Sequence, residues 1–307
     1  MIQTRTLAPG EKITENGCYA LSMADYHAQP CAGPSVSSSG LRTLFSGSPA
    51  HFWGQWSLNP DREDQKEKQH FSLGRAAHHL ILGEANFREH FAIRPEEFPD
   101  WRSKESKEWR AKQVVAGRTV LMPSDIEAVR GMAEQLAKHP LVQNGILNGA
   151  IEQSLIWRDP ETGIWLKSRP DAIPNWSGDF ADLKTTTSVA DDDVSKTIAE
   201  FRYDMQAAVV RRAAREVLSV EMETFALVFV EKTAPFCVSI RTIPKTDIDE
   251  ADLDLQVSLR AVKRGLTTGI WPGPGGSQSD AAPAYIPTWA RNRNAARRQF
   301  LEQELAA

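Results

Sequence analysis

The run from Thr224 to Glu231, TFALVFVE, places six consecutive apolar residues between polar ends. A strand with one face in water alternates, so an unbroken apolar run of this length reads as a strand covered on both sides. The segment before it, FRYDMQAAVVRRAAREVL, has helical periodicity, with Met205, Ala208, Val209 and Ala213 on a face opposite the arginines. Earlier still, AIEQSLIWRD and GIWLKSRPDAI read as strands joined at the turn PETG, and GDFADLKTTT reads as a third strand. FCVSIRTI follows the apolar run as a further strand, and a last helix is expected over Asp247–Arg264. Three strands in a meander, a crossover helix and a buried strand make a mixed α/β domain with a central sheet.

The N-terminal half is helical in composition. SVSSSGLRTLFSGSPAHFW reads as a Ser-capped helix, a break at Ser48-Pro49 and a second helix start. FSLGRAAHHLILGEANFREHF has helical composition, 98–115 reads as a charged, mobile stretch, and 123–139 reads as a helix with Pro123 near its start and Ser124 as cap. The expected limits are an N-terminal arm over 1–35, a domain over 36–290 and a basic tail over 291–307. The formal net charge of −4 argues against a protein that coats DNA, but not against an enzyme that holds nucleic acid in one groove. Cys18, Cys31 and Cys237 are too few and too scattered for a disulfide framework or a CxxC zinc site, which points to a reducing cytoplasm. No run approaches the roughly 20 apolar residues that cross a bilayer, so no membrane association is expected.

The chemistry concentrates in KSRPDAIPNWSGDFADLKTTT, residues 167–187. Asp171 closes one strand, and Asp182 and Lys184 lie on the next. Strand alternation puts 182 and 184 on one face and Leu183 on the other. Such a set can be the charged edge of a hairpin. It can also be a phosphodiester-cleaving centre, in which carboxylates hold a divalent metal and a lysine orients water and offsets phosphate charge. Mg²⁺ takes oxygen ligands and needs only one or two carboxylates, which Asp171 and Asp182 would supply, with the Leu183 carbonyl as a further ligand.

RPD, ten residues and then DLKTT resembles the pattern of the PD-(D/E)xK nucleases. Within that superfamily the chain resembles the RecE-type exonucleases (exonuclease VIII and its phage and prophage relatives). YHAQPCAGPSVSSSGLRTLFSGSPAHF resembles the family's opening segment, LGRAAHHLIL its Gly-x-x-x-His helix, EQSLIWRDPETGIWLKSRPDAI its strand pair, FRYDMQAA its Tyr-x-x-Gln helix, and WP followed by IPTWA its C-terminal end. The resemblance spans roughly residues 20–290. It implies a PD-(D/E)xK core, a central mixed sheet flanked by helices with an N-terminal helical segment.

It also implies roles. His78, four residues after Gly74, would bind metal with Asp171, Asp182 and Leu183; Lys184 would be the catalytic lysine. Glu152 matches an acidic position that would support the site from outside the metal. Gln206, Tyr203 and Arg169 would face DNA. The implied cofactor is Mg²⁺, with Mn²⁺ as a substitute. The implied activity is 5′-to-3′ digestion of double-stranded DNA ends to 3′ overhangs, feeding a single-strand annealing protein, by a ring-shaped homo-oligomer. Many RecB-type relatives carry Gln-x-x-x-Tyr, but here the last position is Val210. Iron–sulfur branches need four cysteines, and this chain has three. Rival readings are a repair-type endonuclease and an inactive DNA-binding protein on the same fold. Plain readings attach to the rest: His79 as a packing residue, Asp191–Asp193 as a helix start or loop cluster, and Arg211, Arg212 and Arg215 as an exposed helix face.

Overall fold

The computed structural model describes residues 3–62, 69–83, 86–151, 153–174, 177–276, 281 and 283–306. One compact unit runs to Trp271 and a second covers 272–307. The first opens with β1 (Thr4–Arg5), β2 (Gly17–Ala20), α1 (Met23–His27) and β3 (Ser35–Ser37). A helical stretch follows: α2 (Ser38–Ser46), α3 (Pro49–Gln55), α4 (Gln69–Ile81) and α5 (Phe87–His90). Next come β4 (Phe91–Ile93), α6 (Lys104–Val115), β5 (Thr119–Leu121), α7 (Pro123–Leu136) and α8 (Pro140–Gln143). The strands β6 (Ala150–Ile151), β7 (Gln153–Arg158), β8 (Trp165–Ser168), β9 (Ala172–Ile173) and β10 (Asp179–Thr186) come next. α9 (Asp191–Phe201) and α10 (Tyr203–Ala213) lead through a π-helical turn to β11 (Thr224–Glu231), β12 (Val238–Thr242) and α11 (Lys245–Thr268). The second unit carries α12 (Thr288–Ala306).

Sequence punctuation accounts for many of these boundaries. Ser37 caps α2, accepting from the Gly40 N–H, and Ser48 caps α3 ahead of Pro49, accepting from the His51 N–H. Asp191–Asp193 form the first turn of α9, where carboxylates meet the positive end of the helix dipole. At α7, Pro123 takes the first helical position, so Met122 rather than Ser124 is the cap residue; the Asp125 carboxylate accepts its N–H at 2.7 Å. The stretch expected to be mobile contains α6, capped by Ser103 and anchored by buried Ser106 and Gln113.

The meander does not lie in one sheet. Sheet order is β1-β2-β7-β8-β3 in one sheet and β12-β11-β10-β9-β6 in the other. The same hairpin serves both. Leu155 faces Ser168 in the first sheet and Ile151 faces Ala172 in the second, in one unbroken register. No ladder pair is made over Arg169–Asp171 among the described residues. Pro170 has no N–H to give a ladder, so the hairpin passes from one sheet to the other at Arg169-Pro170-Asp171. The far end is fixed by a tight turn, where Asp159 Oδ2 accepts from the Thr162 N–H at 2.8 Å and its hydroxyl at 2.6 Å. Gly163 follows at φ 74°, a conformation that glycine reaches without strain.

β10 and β11 are parallel neighbours, joined over the sheet by α9 and α10. Phe180, Phe225, Leu227 and Phe229 pack with Met205, Ala208 and Val209 of α10 and with Leu255 and Leu259 of α11. Ala181, Leu183, Ala226, Val228 and Val230 pack on the other side with Ala77 of α4 and with Val129, Met132 and Leu136 of α7. The apolar run therefore has helices on both faces, as its composition requires. Each buried Phe, Leu or Val there contributes roughly 1.5–3 kcal/mol. The N-terminal segment covers the outer face of the first sheet, with Ile13, Tyr19, Leu21 and Tyr26 against Ile156 and Trp165.

Two arginines expected on an exposed face are instead held between helices. Arg212 grips both oxygens of Asp252 on α11 at 2.6 and 2.8 Å, and Arg211 donates to Asp249 at 2.5 Å. The acids that pair with them lie some forty residues downstream, beyond the reach of any local periodicity. Arg215 is more exposed and pairs with its neighbour Glu216. Among the described residues no helix is long and apolar enough to cross a membrane.

Candidate active site

Asp182 and Lys184 leave β10 on the face that α10 covers. Asp182 is 4% exposed, and its Oδ2 lies against the Lys184 ammonium. Gln206 on α10 bridges the two charges. Its Nε2 donates to Asp182 Oδ1 at 2.5 Å, and its Oε1 accepts from Lys184 Nζ at 3.2 Å. Tyr203, one turn earlier on α10, presents its ring 4.4 Å from Lys184 Nζ. Sequence pattern and structure agree here: alternation on the strand meets i, i+3 spacing on the helix.

Asp171 reaches the same centre from the hairpin break. Its Oδ2 accepts the Leu183 N–H at 2.6 Å, and its Oδ1 lies 3.4 Å from His78 Nδ1. His78 comes from α4, and Gly74 lets that helix approach β10. A Cβ at Gly74 would stand 3.2 Å from Thr185 Oγ1, tighter than ordinary packing. Part of the threonine run after the lysine thus faces the glycine of the histidine motif. His79 is buried and lies edge-on to Phe87 and Phe91, a packing role.

Environment pushes the two carboxyls in opposite directions. Burial works against charge on Asp171, but His78, Lys184 and the Leu183 N–H together outweigh it and hold the carboxyl below its usual range. Asp182 is raised by burial and by the charge of Asp171, with Lys184 offsetting only part of this. Burial opposes charge on His78 and Lys184 too, yet Asp171 raises the first and Asp182 the second. Lys184 is therefore held as an ammonium, a hydrogen-bond donor rather than a base.

The donor set suits a hard divalent cation. Asp182 Oδ2 is sealed from solvent without a well-formed hydrogen bond, and the two carboxylates repel one another. Among the described residues no three His, Cys, Asp or Glu side chains already form a metal cage. Two carboxylates with a backbone carbonyl meet the modest demand of Mg²⁺, which keeps several waters. His78 stands beside Asp171, where it can join or orient that set.

The remaining expected residues are placed as follows. Arg169 donates to the Leu21 carbonyl at 2.9 Å, on the side of the N-terminal segment. Leu183 engages the site through its N–H, and its side chain is buried on the α4–α7 side. Glu152 lies outside the described residues. Val210 is buried in the core.

A cleft of about 400 Å³ lies along α1, β3 and α2, lined among the described residues by His27, Ser37, Ser39, Arg62 and Lys167 with Phe52 and Trp56. Lys167 is 3% exposed and donates to the carbonyls of Tyr26 and Ala28 at 2.6 and 3.0 Å. Burial pulls its ammonium down to about 8. A lysine lowered on folding adds stability above its unfolded range and loses it as pH falls through the folded value. Wild-type stability, measured by urea unfolding and referred to Lys167→Met, should therefore rise by about 1 kcal/mol from pH 7 to pH 9. Parallel pH profiles for the two proteins would refute this account of Lys167.

A family model described as PDDEXK-like domain of unknown function (DUF3799) matches residues 37–279. The chain belongs to this family. Its fold is likewise similar to the crystal structure of an Eubacterium rectale protein described as a "Putative exonuclease". The two share 14% identity and a TM-score of 0.56, over 87% of this chain and 96% of the other. None of the curated proteins matches the sequence significantly. The PD-(D/E)xK assignment made from RPD and DLK thus stands, and with it a mixed α/β fold of the nuclease type.

Proposed function

We propose that this PD-(D/E)xK protein is a metal-dependent deoxyribonuclease that digests double-stranded DNA ends. The observation that carries the reading is the convergence of Asp171, Asp182 and Lys184 under the Gln206 amide. A bound Mg²⁺ or Mn²⁺ would supply Lewis acidity and a more acidic water. Asp171 and Asp182 would hold it, with the Leu183 carbonyl as a further oxygen. Lys184, kept protonated by Asp182, would donate to the attacking water or to a phosphoryl oxygen and offset charge that grows in the transition state. Gln206, by its hydrogen bond, and Tyr203, by its ring, hold the lysine in position.

The finer assignment rests on the resemblance to RecE-type exonucleases: 5′-to-3′ polarity, 3′ overhangs handed to an annealing protein, and a ring of subunits around DNA. The experiment uses linear duplex labelled at the 5′ or the 3′ end and closed circular duplex, each with Mg²⁺ and with EDTA. The expected result is Mg²⁺-dependent release of 5′ label from linear duplex, an intact circle, and no cleavage in EDTA. Nicking of the circle would replace the exonuclease by an endonuclease. A folded protein that binds DNA but cuts nothing would support the inactive binding-protein reading.

A further inference from the structure

We propose that Arg42 is a phosphate-binding residue that holds the nucleic-acid backbone beside the Asp182–Lys184 pair; this rests on the nuclease reading and adds a contact that neither motif contains. Arg42 lies on α2, well upstream of the acidic motifs, and folding brings it to the far end of α9 and to α10. Its guanidinium lies 5.8 Å from the Tyr203 ring centroid, and Lys184 lies 4.4 Å from the same centroid. Two cations thus share one aromatic ring beside Asp182.

Charge bookkeeping singles Arg42 out. The carboxylates that act on it are Asp182 and Asp204. Asp182 is already held by Lys184 and Gln206. Asp204 is gripped through both oxygens by Arg202, at 2.8 to 3.1 Å. Arg202 also donates to Asp254 at 2.6 Å, so its own charge is spent. Among the described residues Arg42 makes no ion pair. Among the described residues its Nη1 donates to the Phe201 carbonyl at 2.8 Å, and its Nε is sealed from solvent and meets no acceptor. A half-buried guanidinium with an unmatched charge is costly unless an anion completes it; with Nη1 engaged and Nε sealed, Nη2 is the donor left to meet a phosphate oxygen.

A purely structural role is the rival. Phe201 ends α9, and a cation at a helix C-terminus stabilises the exposed carbonyls. That role uses one donor and does not depend on DNA. The full-length chain should therefore be compared as wild type, Arg42→Gln and Arg42→Lys. Affinity for a labelled duplex is measured in EDTA at several salt concentrations, and cleavage in Mg²⁺. For Arg42→Gln the slope of log affinity against log salt should become shallower by about 0.9, the signature of one lost phosphate contact. KM should rise about tenfold with kcat little changed, as expected when uniform binding is lost. Arg42→Lys keeps the charge and should keep the slope, while KM rises because an ammonium cannot hold the Phe201 carbonyl and a phosphate oxygen from one rigid plane.

A lower melting temperature with unchanged slope and KM in Arg42→Gln would leave only the helix-end role and overturn the proposal. If Arg42→Gln does not fold, Arg42→Lys decides: wild-type KM in that variant overturns it. A wild-type protein that neither binds nor cuts DNA would remove the nuclease reading, and this inference with it. Loss confined to Arg42 variants of an active wild type leaves the nuclease reading intact.

Discussion

With Lys184 replaced by methionine, Mg²⁺-dependent cleavage of linear duplex should fall by about 10³-fold, the scale seen when one preorganised donor to a developing charge is removed. The variant should also be less stable, and the loss should depend on pH. Removing one partner of a buried ion pair costs roughly 3–5 kcal/mol when the other stays charged. Asp182 has an escape, because it can bind a proton. Burial and Asp171 already raise its carboxyl, and the lysine is among the influences that lower it. Without Lys184 the carboxyl rises further. A raised group contributes stability that is fully present below its unfolded value and is lost as pH rises through the folded one. Lys184→Met should therefore lie close to wild type near pH 4 and fall behind at pH 7 to 8. Urea unfolding across that range measures it. The double variant Asp182→Asn, Lys184→Met should recover most of the stability at neutral pH and none of the cleavage. A single variant equally destabilised at every pH would mean that the lysine acts through packing alone.

The second large effect concerns Asp171 and separates chemistry from architecture. Asp171→Ala and Asp171→Asn should both abolish cleavage, since neither offers a carboxylate to a cation. Their stabilities should differ. Asp171 Oδ2 satisfies the Leu183 N–H, in a stretch of β10 whose side chain there is fully buried. Alanine leaves that donor without a partner, at a cost of about 1–3 kcal/mol, whereas the asparagine carbonyl can still accept it. Both variants also free His78 from its ion pair, so the difference between them isolates the strand contact. Equal stability of the two would show that the carboxylate matters only to the reaction. Measurable cleavage by Asp171→Asn would remove Asp171 from the proposed metal site.

Much of this was legible because it depends on short-range periodicity. Asp182 and Lys184 share a face since strands repeat every two residues, and Tyr203 and Gln206 share one since they are a helical turn apart. The six apolar residues of β11 announced a strand covered on both sides. The division into two sheets was not legible. It depends on how a single register continues past Pro170, and the pattern of AIEQSLIWRD looks the same in one sheet or two. Arg211 and Arg212 were misread because their carboxylates lie on α11, outside any local window. Arg42 was missed because it sits inside a serine-rich cap and helix start, where an arginine carries no signal of its own. Its meaning comes only from the contact of α2 with the helices that follow the active-site strand.

The turn at Asp159–Gly163 touches none of the reacting groups, yet it sets where one of them stands. Every partner along the shared hairpin, from Arg158 opposite Trp165 to Ala150 opposite Ile173, is counted from that turn. One residue added there would slide the second strand by one step and turn its side chains to the opposite faces. Asp171 would then point away from Leu183 and His78, although no residue of the site had been altered. The turn works as the zero mark of a ruler, and its length sets where Asp171 stands.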